Sequence, residues 1–560
     1  MSANHFSRRQ FLQAAGAAAG ILGAGAVLQA CGGASAPASL TSGAASNPAA
    51  GSRKADWTVV LSEKTAGADP LSEYGTNTMY SLMPLVWEPL VRIELLPDGK
   101  TWGGFPVLAD KWTFPDNKTF QVSLKQGVKF HNGEELSADH VKYGFDTLTT
   151  GDTLGRRGVI IKKLGTAEVV DKYTIRWQMP APLNDSILAD LEDFLIPPLA
   201  RQKAASAEDF EKNPVGGTGP YKIASWPRDG VVKLEAWDGY HRGQKAFPNT
   251  LSFRTVIEAS TRVLELSAGS ADLAAAVPIE SLDQINKDPK LEAVSFQGSS
   301  ALSYVINPYK KSPPFRDVRV RQAMNYAIDR EAIIKSILAG HGTVLPSALW
   351  PGWLGYTPDV KAYTYDPAKA KSLLKDAGYP DGFSFKWSVT QGVYEKDIEL
   401  AQAIAGQLSQ VGIKANLVTL ERAKLLAERN TGSFDMTSLI WTITWGPSVL
   451  FGFTLDAPFP DDTLKAEYGD TPPELAQARQ LNKEAGQASG LEPVTAAYAK
   501  LNQYMHDQAM WLFVNTTDQL VGAQKATGWR PYPARYFAWY DEWAMLGKKA
   551  PANPEVPSIA

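Results

Sequence analysis

The stretch from Asp366 to Leu420 alternates helix and strand signals, and that alternation confines the chain to a layered α/β architecture. Asp366-Pro367 supplies a cap and a proline for the first turn. Ala370, Leu373, Leu374 and Ala377 share one face, and Gly378 suits a left-handed C-terminal turn. A second helix is expected from about Glu395, with Ile398, Ala401, Ile404, Ala405 and Leu408 on one side and a stop at Gly412. Ile413 to Leu420 then alternates as a strand does. A chain of 560 residues is too long for one ordinary core, so two or more lobes are expected.

The same interleaving runs through the rest of the chain. Thr58 to Ser62 reads as a strand, and Phe120, Val122 and Leu124 alternate with polar residues over Lys118 to Lys125. Ser137 can cap a helix that carries Val141, Phe145 and Leu148 on one face. No short internal repeat, heptad run or uninterrupted apolar span occurs beyond the N-terminal region, which removes solenoids, propellers, coiled coils and membrane pores. Hydrophobic residues at 44% and charged residues at 21% indicate a folded chain rather than a disordered one. The net charge of -3, without a long basic run, argues against a nucleic-acid partner.

Cys31 is the only cysteine, so an intrachain disulfide and a thiolate zinc cluster are both excluded. It follows Ser7-Arg8-Arg9-Gln10-Phe11-Leu12 and an uncharged Ala/Gly-rich stretch to Leu28, which resembles a twin-arginine export signal. Leu28-Gln29-Ala30-Cys31 resembles the lipobox of bacterial lipoproteins, and the resemblance makes residues 1–30 a signal peptide and Cys31 the lipidated membrane anchor. Two or more acyl chains give stable attachment, each buried methylene contributing about 0.8 kcal/mol. The alternative is an uncleaved anchor helix with an idle cysteine. Residues 31–55 lack large apolar side chains apart from Leu40, so they read as the anchor and a flexible tether. The bulk is expected outside the cytoplasm, on the outer face of the cytoplasmic membrane.

Catalytic signatures are missing. There is no Gly-x-Ser-x-Gly elbow and no His-Glu-x-x-His, the six histidines are scattered, and Asp461-Asp462 reads as a solvated loop. Gly216 to Gly219 is followed by Pro220-Tyr221 rather than Gly-Lys-Ser/Thr, which suits a turn entering a strand and not a phosphate cradle. His131 and His140 are expected to cap or pack. The chain is therefore expected to be no enzyme and to need no cofactor and no metal.

Ordered blocks across the rest of the chain carry a family resemblance. They are Asp69-Pro70 with Val86-Trp87-Glu88-Pro89-Leu90-Val91; Pro106 to Trp112; Asn117 to Phe120; Leu124 to Gly133; and Ser137 to Val141. Further on come Gly216 to Tyr221, Leu266 to Leu273, Pro314 to Arg330 and Tyr365 to Tyr379. Together they resemble the family 5 extracellular solute-binding proteins that serve peptide, nickel and oligosaccharide ABC importers. The resemblance implies a two-lobed, periplasmic-binding-protein-like clamp of the large class II, cluster C type. Lobe I would span 56–303, with a subdomain over about 100–215, and lobe II 304–514. Residues 515–548 would return to lobe I and 549–560 would form a tail, with hinges near Ser303 and Val514. Such a clamp closes on its solute, and the closed state is what the permease recognises. The partners expected are a small solute, the permease subunits and the membrane through the lipid, with the protein itself a monomer.

The resemblance also nominates a site. Tyr74, Gly75 and Thr76 stand where peptide-binding members run along their ligand, and Trp441, Thr442, Thr444 and Trp445 stand on the facing wall. Tyr304 and Asn307, near the hinge, are weaker candidates that strand packing and a turn explain as easily. Thr444 occupies the place of an aspartate that binds the peptide α-ammonium in those members, and a threonine hydroxyl cannot pair a buried ammonium. A peptide remains the main expectation, and an oligosaccharide is the alternative, because Trp441, Trp445, Phe451 and Phe453 offer flat faces for sugar rings. A sensor that signals through a partner without transport would share the fold and cleft.

Overall fold

The computed structural model describes residues 54–65, 67–72, 81–95, 102–150, 156–180, 187–243, 245–350, 353–391, 395–442, 447–456, 469–488 and 490–531. The first part holds β1 (Asp56–Leu61), β2 (Val91–Leu95), β3 (Trp102–Pro106), β4 (Ala109–Asp116), β5 (Thr119–Leu124), β6 (Thr166–Asp171) and β7 (Thr174–Gln178). It continues with β8 (Tyr221–Ser225), β9 (Val232–Ala236), β10 (Thr250–Thr255) and β11 (Leu273–Ala275). After these come β12 (Leu291–Ile306), β13 (Gly342–Val344), β14 (Phe383–Val389), β15 (Ile413–Thr419), β16 (Met436–Thr442) and β17 (Trp511–Gln524). Among the described residues eleven strands join one sheet in the order β15-β14-β16-β12-β17-β11-β1-β10-β9-β8, with β13 also on β17.

The capping signals read from the sequence operate locally. Asp366 accepts a hydrogen bond from the Lys369 amide at 2.8 Å and opens the helix Pro367–Asp376, and Gly378 follows with φ of 91°. The helix Asp397–Ser409 is followed by Gly412 at φ 94° and then by β15. At the helix Ala138–Thr149, His140 closes the cap. Its Nδ1 accepts the Ser137 amide at 3.2 Å while the ring stacks on Phe130 at 4.5 Å.

Strand β1 shows why the sheet is covered on both faces. Trp57, Val59 and Leu61 pack into one cluster of lobe I, and Val60 turns to the opposite face. That opposite cluster runs without interruption from Val60, Ala274 and Leu282 to Leu302, Tyr304 and Trp387, so the two lobes share one core. Each large side chain so buried contributes about 1.5–3 kcal/mol. The strands β4-β5-β7-β6 form a separate sheet with their own core around Phe120, Val122, Trp177 and Phe145, within the stretch expected as a subdomain.

The lobes are joined by β12 and β17, which pair along most of their length. Lobe I partners end at Val521 on β17, where β11 pairs, and β16 takes up the free edge of β12 from Ser300 onward. The ladder is irregular between Gln297 and Ser300 and again between Leu302 and Ser303. The change of partners thus falls just on the lobe I side of Ser303 and Val514. The segments expected as signal peptide, lipidated Cys31, most of the tether, the return beyond Pro531 and the tail lie outside the described residues.

Candidate functional site

Strand direction fixes where the two lobes face each other. β1 is parallel to β10 and β11, β17 is antiparallel to β11, and β12 is antiparallel to β17, so β12 runs toward lobe II in the sense of β1. β16 is antiparallel to β12, with Thr442 opposite Ser300 and Met436 opposite Ile306, and β14 and β15 run parallel to β16. The carboxyl ends Leu61, Thr255 and Ala275 of lobe I therefore face the carboxyl ends Val389, Thr419 and Thr442 of lobe II. Carboxyl ends of parallel strands are where α/β sheets place their ligands.

The loop after β1 forms the lobe I wall as far as Ser72. Asp69 is buried and takes a two-pronged contact from Arg201, Nε to Oδ1 at 3.2 Å and an Nη2 contact to Oδ2 at 3.0 Å. It also accepts the Leu71 amide at 3.1 Å and the Ser72 hydroxyl at 3.2 Å. Arg157, fully buried in the helix Arg156–Ile161, donates to the carbonyls of Pro70 at 2.9 Å, Asp193 at 3.2 Å and Ser72. Two arginines thus fix the backbone that leads to Tyr74, Gly75 and Thr76, which lie outside the described residues. Neither arginine announces itself in the sequence, because its burial depends on contacts distant along the chain.

A second arginine brace holds the neighbouring loops. Arg262 donates to Val256 O, Ile257 O, Ala275 O and Ala276 O at 2.6–2.8 Å, tying the ends of β10 and β11 together.

On lobe II, the register brings the backbones of Trp441 and Thr442 to the boundary, opposite Ala301 and Ser300. Thr444 and Trp445 lie outside the described residues. Tyr304 and Asn307 sit deeper. The Tyr304 ring meets Trp387 edge to face at 4.5 Å, and burial, with the Asp397 charge, pushes its hydroxyl pKa above the usual tyrosine range. The Asn307 amide donates to Gly432 O and Phe434 O at 3.0 and 2.9 Å and accepts the Tyr309 amide at 3.1 Å, holding the end of β12 in a turn.

The glycine turn and the Val86–Val91 block meet as a support beneath the lobe I wall. A Cβ on Gly217 would stand 2.5 Å from Val86 O and one on Gly219 2.6 Å from Leu85 O, so the turn needs glycine for close backbone approach. Between them Thr218 donates to Glu88 Oε2 at 2.9 Å. Tyr240 OH and His241 Nε2 also reach Glu88, each at 2.8 Å. Burial alone would raise the Glu88 pKa, but His241, Arg242 and Tyr240 together hold it at about 2. His131 donates from Nε2 to Gly219 O at 2.9 Å and meets Trp237 edge on, and burial lowers its pKa to about 4. Both histidines flagged in the sequence therefore cap or pack.

A cavity of about 780 Å³ opens elsewhere, between Asp110, Lys125 and Tyr173 of the subdomain stretch and His241. Its Lys125 ammonium is engaged by the carbonyls of Pro106 and Val107 at 3.1 and 2.6 Å, and its walls belong to neither facing set of strand ends. Among the described residues no cluster of three His, Cys, Asp or Glu side chains could hold a metal, and no helix is long and apolar enough to cross a membrane.

The family model described as bacterial extracellular solute-binding proteins, family 5 middle, matches residues 105–458. The chain belongs to this family. Among its relatives, the glutathione-binding protein GsiB of Salmonella paratyphi A is 33% identical over 327 residues, 58% of this chain and 62% of the relative. The match therefore spans somewhat less than two thirds of that relative's length. HbpA2 from Haemophilus parasuis superposes with a TM-score of 0.71 at 24% identity, covering 87% of this chain and 99% of HbpA2. DppA from Helicobacter pylori, in complex with the peptide STSA, gives 0.65 at 24% identity, covering 85% and 95%. At these identities the solved structures establish the fold, the two-lobed clamp of family 5.

Proposed function

We propose that this family 5 protein captures a short peptide between its lobes and delivers it to the permease of an ABC importer. The observation that carries the reading is the opposition of strand carboxyl ends across the lobe boundary, in a chain whose relatives include proteins named for glutathione binding. Tyr74, Gly75, Thr76, Trp441, Thr442, Thr444 and Trp445 are the proposed contacts. Tyr304 and Asn307 support the wall from behind, by the packing and turn described above.

Closure follows from that layout. A peptide touching both rims binds the closed state more tightly than the open one, so it shifts the population toward closure. Thr444 favours a second reading, an oligosaccharide, because it leaves a free α-ammonium without a carboxylate at that place. A thermal-shift screen of the protein against glutathione, tri- and tetrapeptides, cello- and malto-oligosaccharides and nickel complexes decides between them. Stabilisation by peptides is expected, and a response to sugars alone overturns the peptide reading.

The anchoring proposal rests on Arg8-Arg9 and the Leu28–Cys31 segment, with a monomeric receptor tethered to the outer face of the membrane. Cys31→Ser is expected to abolish fatty-acid labelling. Persistence of the label in that variant would remove the lipoprotein assignment.

A further inference from the structure

Among the described residues one ion pair crosses the boundary between the facing strand ends. Glu280 lies in the short turn Ile279–Ser281 after β11 of lobe I, and Lys396 caps the helix Asp397–Ser409 after β14 of lobe II. The Lys396 ammonium contacts Glu280 Oε1 directly. That contact holds the Glu280 carboxyl below its usual range and raises the lysine. Lys396 also adopts φ of 56°, a left-handed conformation that is strained for a non-glycine residue. Residues kept in such conformations are held there by their surroundings and concentrate at working sites.

Other charges at this junction include Glu395, Asp397 and Glu399 beside Lys396, and Arg262 and Glu258 on lobe I. Arg262 is engaged by four loop carbonyls, which leaves Lys396 as the cation that bonds Glu280. Both side chains keep some contact with water, 25% for Lys396 and 59% for Glu280, so the pair is strong enough to bias an equilibrium and weak enough to be opened.

We propose that Glu280 and Lys396 form a latch across the cleft, setting ligand affinity by stabilising the closed lobes without touching the ligand. This rests on reading the boundary as the ligand cleft. Any solute that needs closure inherits the latch energy, whatever its chemistry. Disrupting the pair therefore weakens every ligand by the same factor and leaves the ranking of ligands unchanged.

The test needs no ligand, so an error in the cargo assignment leaves it intact. The full chain carrying Cys31→Ser is spin-labelled at exposed Leu264→Cys on lobe I and Lys335→Cys on lobe II, and the inter-lobe distance distribution is recorded by electron–electron double resonance. At low ionic strength, Glu280→Gln and Lys396→Gln are each expected to raise the open fraction about two- to fivefold. The exchange variant Glu280→Lys with Lys396→Glu is expected to return the distribution to that of the parent. Salt at about 1 M, where the screening length falls to about 3 Å, is expected to erase the differences. Single variants that keep the parent distribution, or an exchange variant that fails to restore it, overturn the latch.

Discussion

The rims of the two lobes are built differently. On lobe I, Arg157, Arg201 and Arg262 are buried directly beneath the loops that follow β1, β10 and β11, and their guanidinium groups hold loop carbonyls or Asp69. Among the described residues lobe II has buried arginines too, but Arg321 and Arg330 lie at its far end. Arg321 bonds the carbonyls of Phe315 and Gln508, and Arg330 those of Asn325 and Phe513, near the Val305–Trp511 pairing and away from Thr442. Among the described residues the lobe II rim rests on smaller contacts, such as Thr390 donating to Asp397 at 3.0 Å. Of the two described rims, lobe I is therefore the more heavily braced.

Arg201→Met is the strongest way to break that contrast, because it strands the Asp69 carboxylate without its buried partner. A loss of about 3–5 kcal/mol in unfolding free energy is expected by denaturant titration. A loss below 1 kcal/mol would mean that the lobe I rim does not depend on this brace.

Acid should then act on the support of lobe I. His131 has a folded pKa of about 4, below its unfolded value near 6.5, so the unfolded chain binds the extra proton first. Its contribution is complete above about pH 6.5 and is lost as pH falls toward 4, amounting to about 3 kcal/mol. Glu88, with a folded pKa of about 2, contributes above about pH 4.5 and loses its share only as pH falls through 2. His131→Gln is expected to flatten the stability curve between pH 6.5 and 4 while leaving the slope below pH 4 in place.

Two smaller effects probe lobe II. Trp445→Ala is expected to weaken the best ligand of the screen by about 1 kcal/mol or more, roughly fivefold, with an unchanged melting temperature. Calorimetry that finds equal affinity removes Trp445 from the site. Thr390→Val removes one hydrogen bond to Asp397 and should cost about 1 kcal/mol in stability. A loss on the scale of Arg201→Met would erase the distinction between the rims.

Much of this architecture was legible because it is local. The Asp366 cap, Gly378, Gly412 and the alternation of Phe120, Val122 and Leu124 each encode their element within a few residues. The crossover is not legible in the sequence, because β12 is a continuous run of 16 residues and its change of partners leaves no mark in the hydrophobic pattern. Gly216 to Gly219 reads as a turn from its residue types, yet the carbonyls that forbid a Cβ at Gly217 and Gly219 come from Val86 and Leu85, far away in sequence. The arginine braces and the Glu280–Lys396 contact were invisible for the same reason. A charged residue on a polar stretch reads as solvated until the fold brings its partner.

The core that runs unbroken from Val60 to Trp387 has a consequence for how the protein comes apart. Lobes joined only by flexible strands would melt separately, each with its own transition. Here the apolar layer beneath β12 and β17 belongs to both lobes, so neither can lose its packing without exposing the other. Heat should therefore melt the lobes as one cooperative unit, and a ligand held at either rim should move that single transition as a whole.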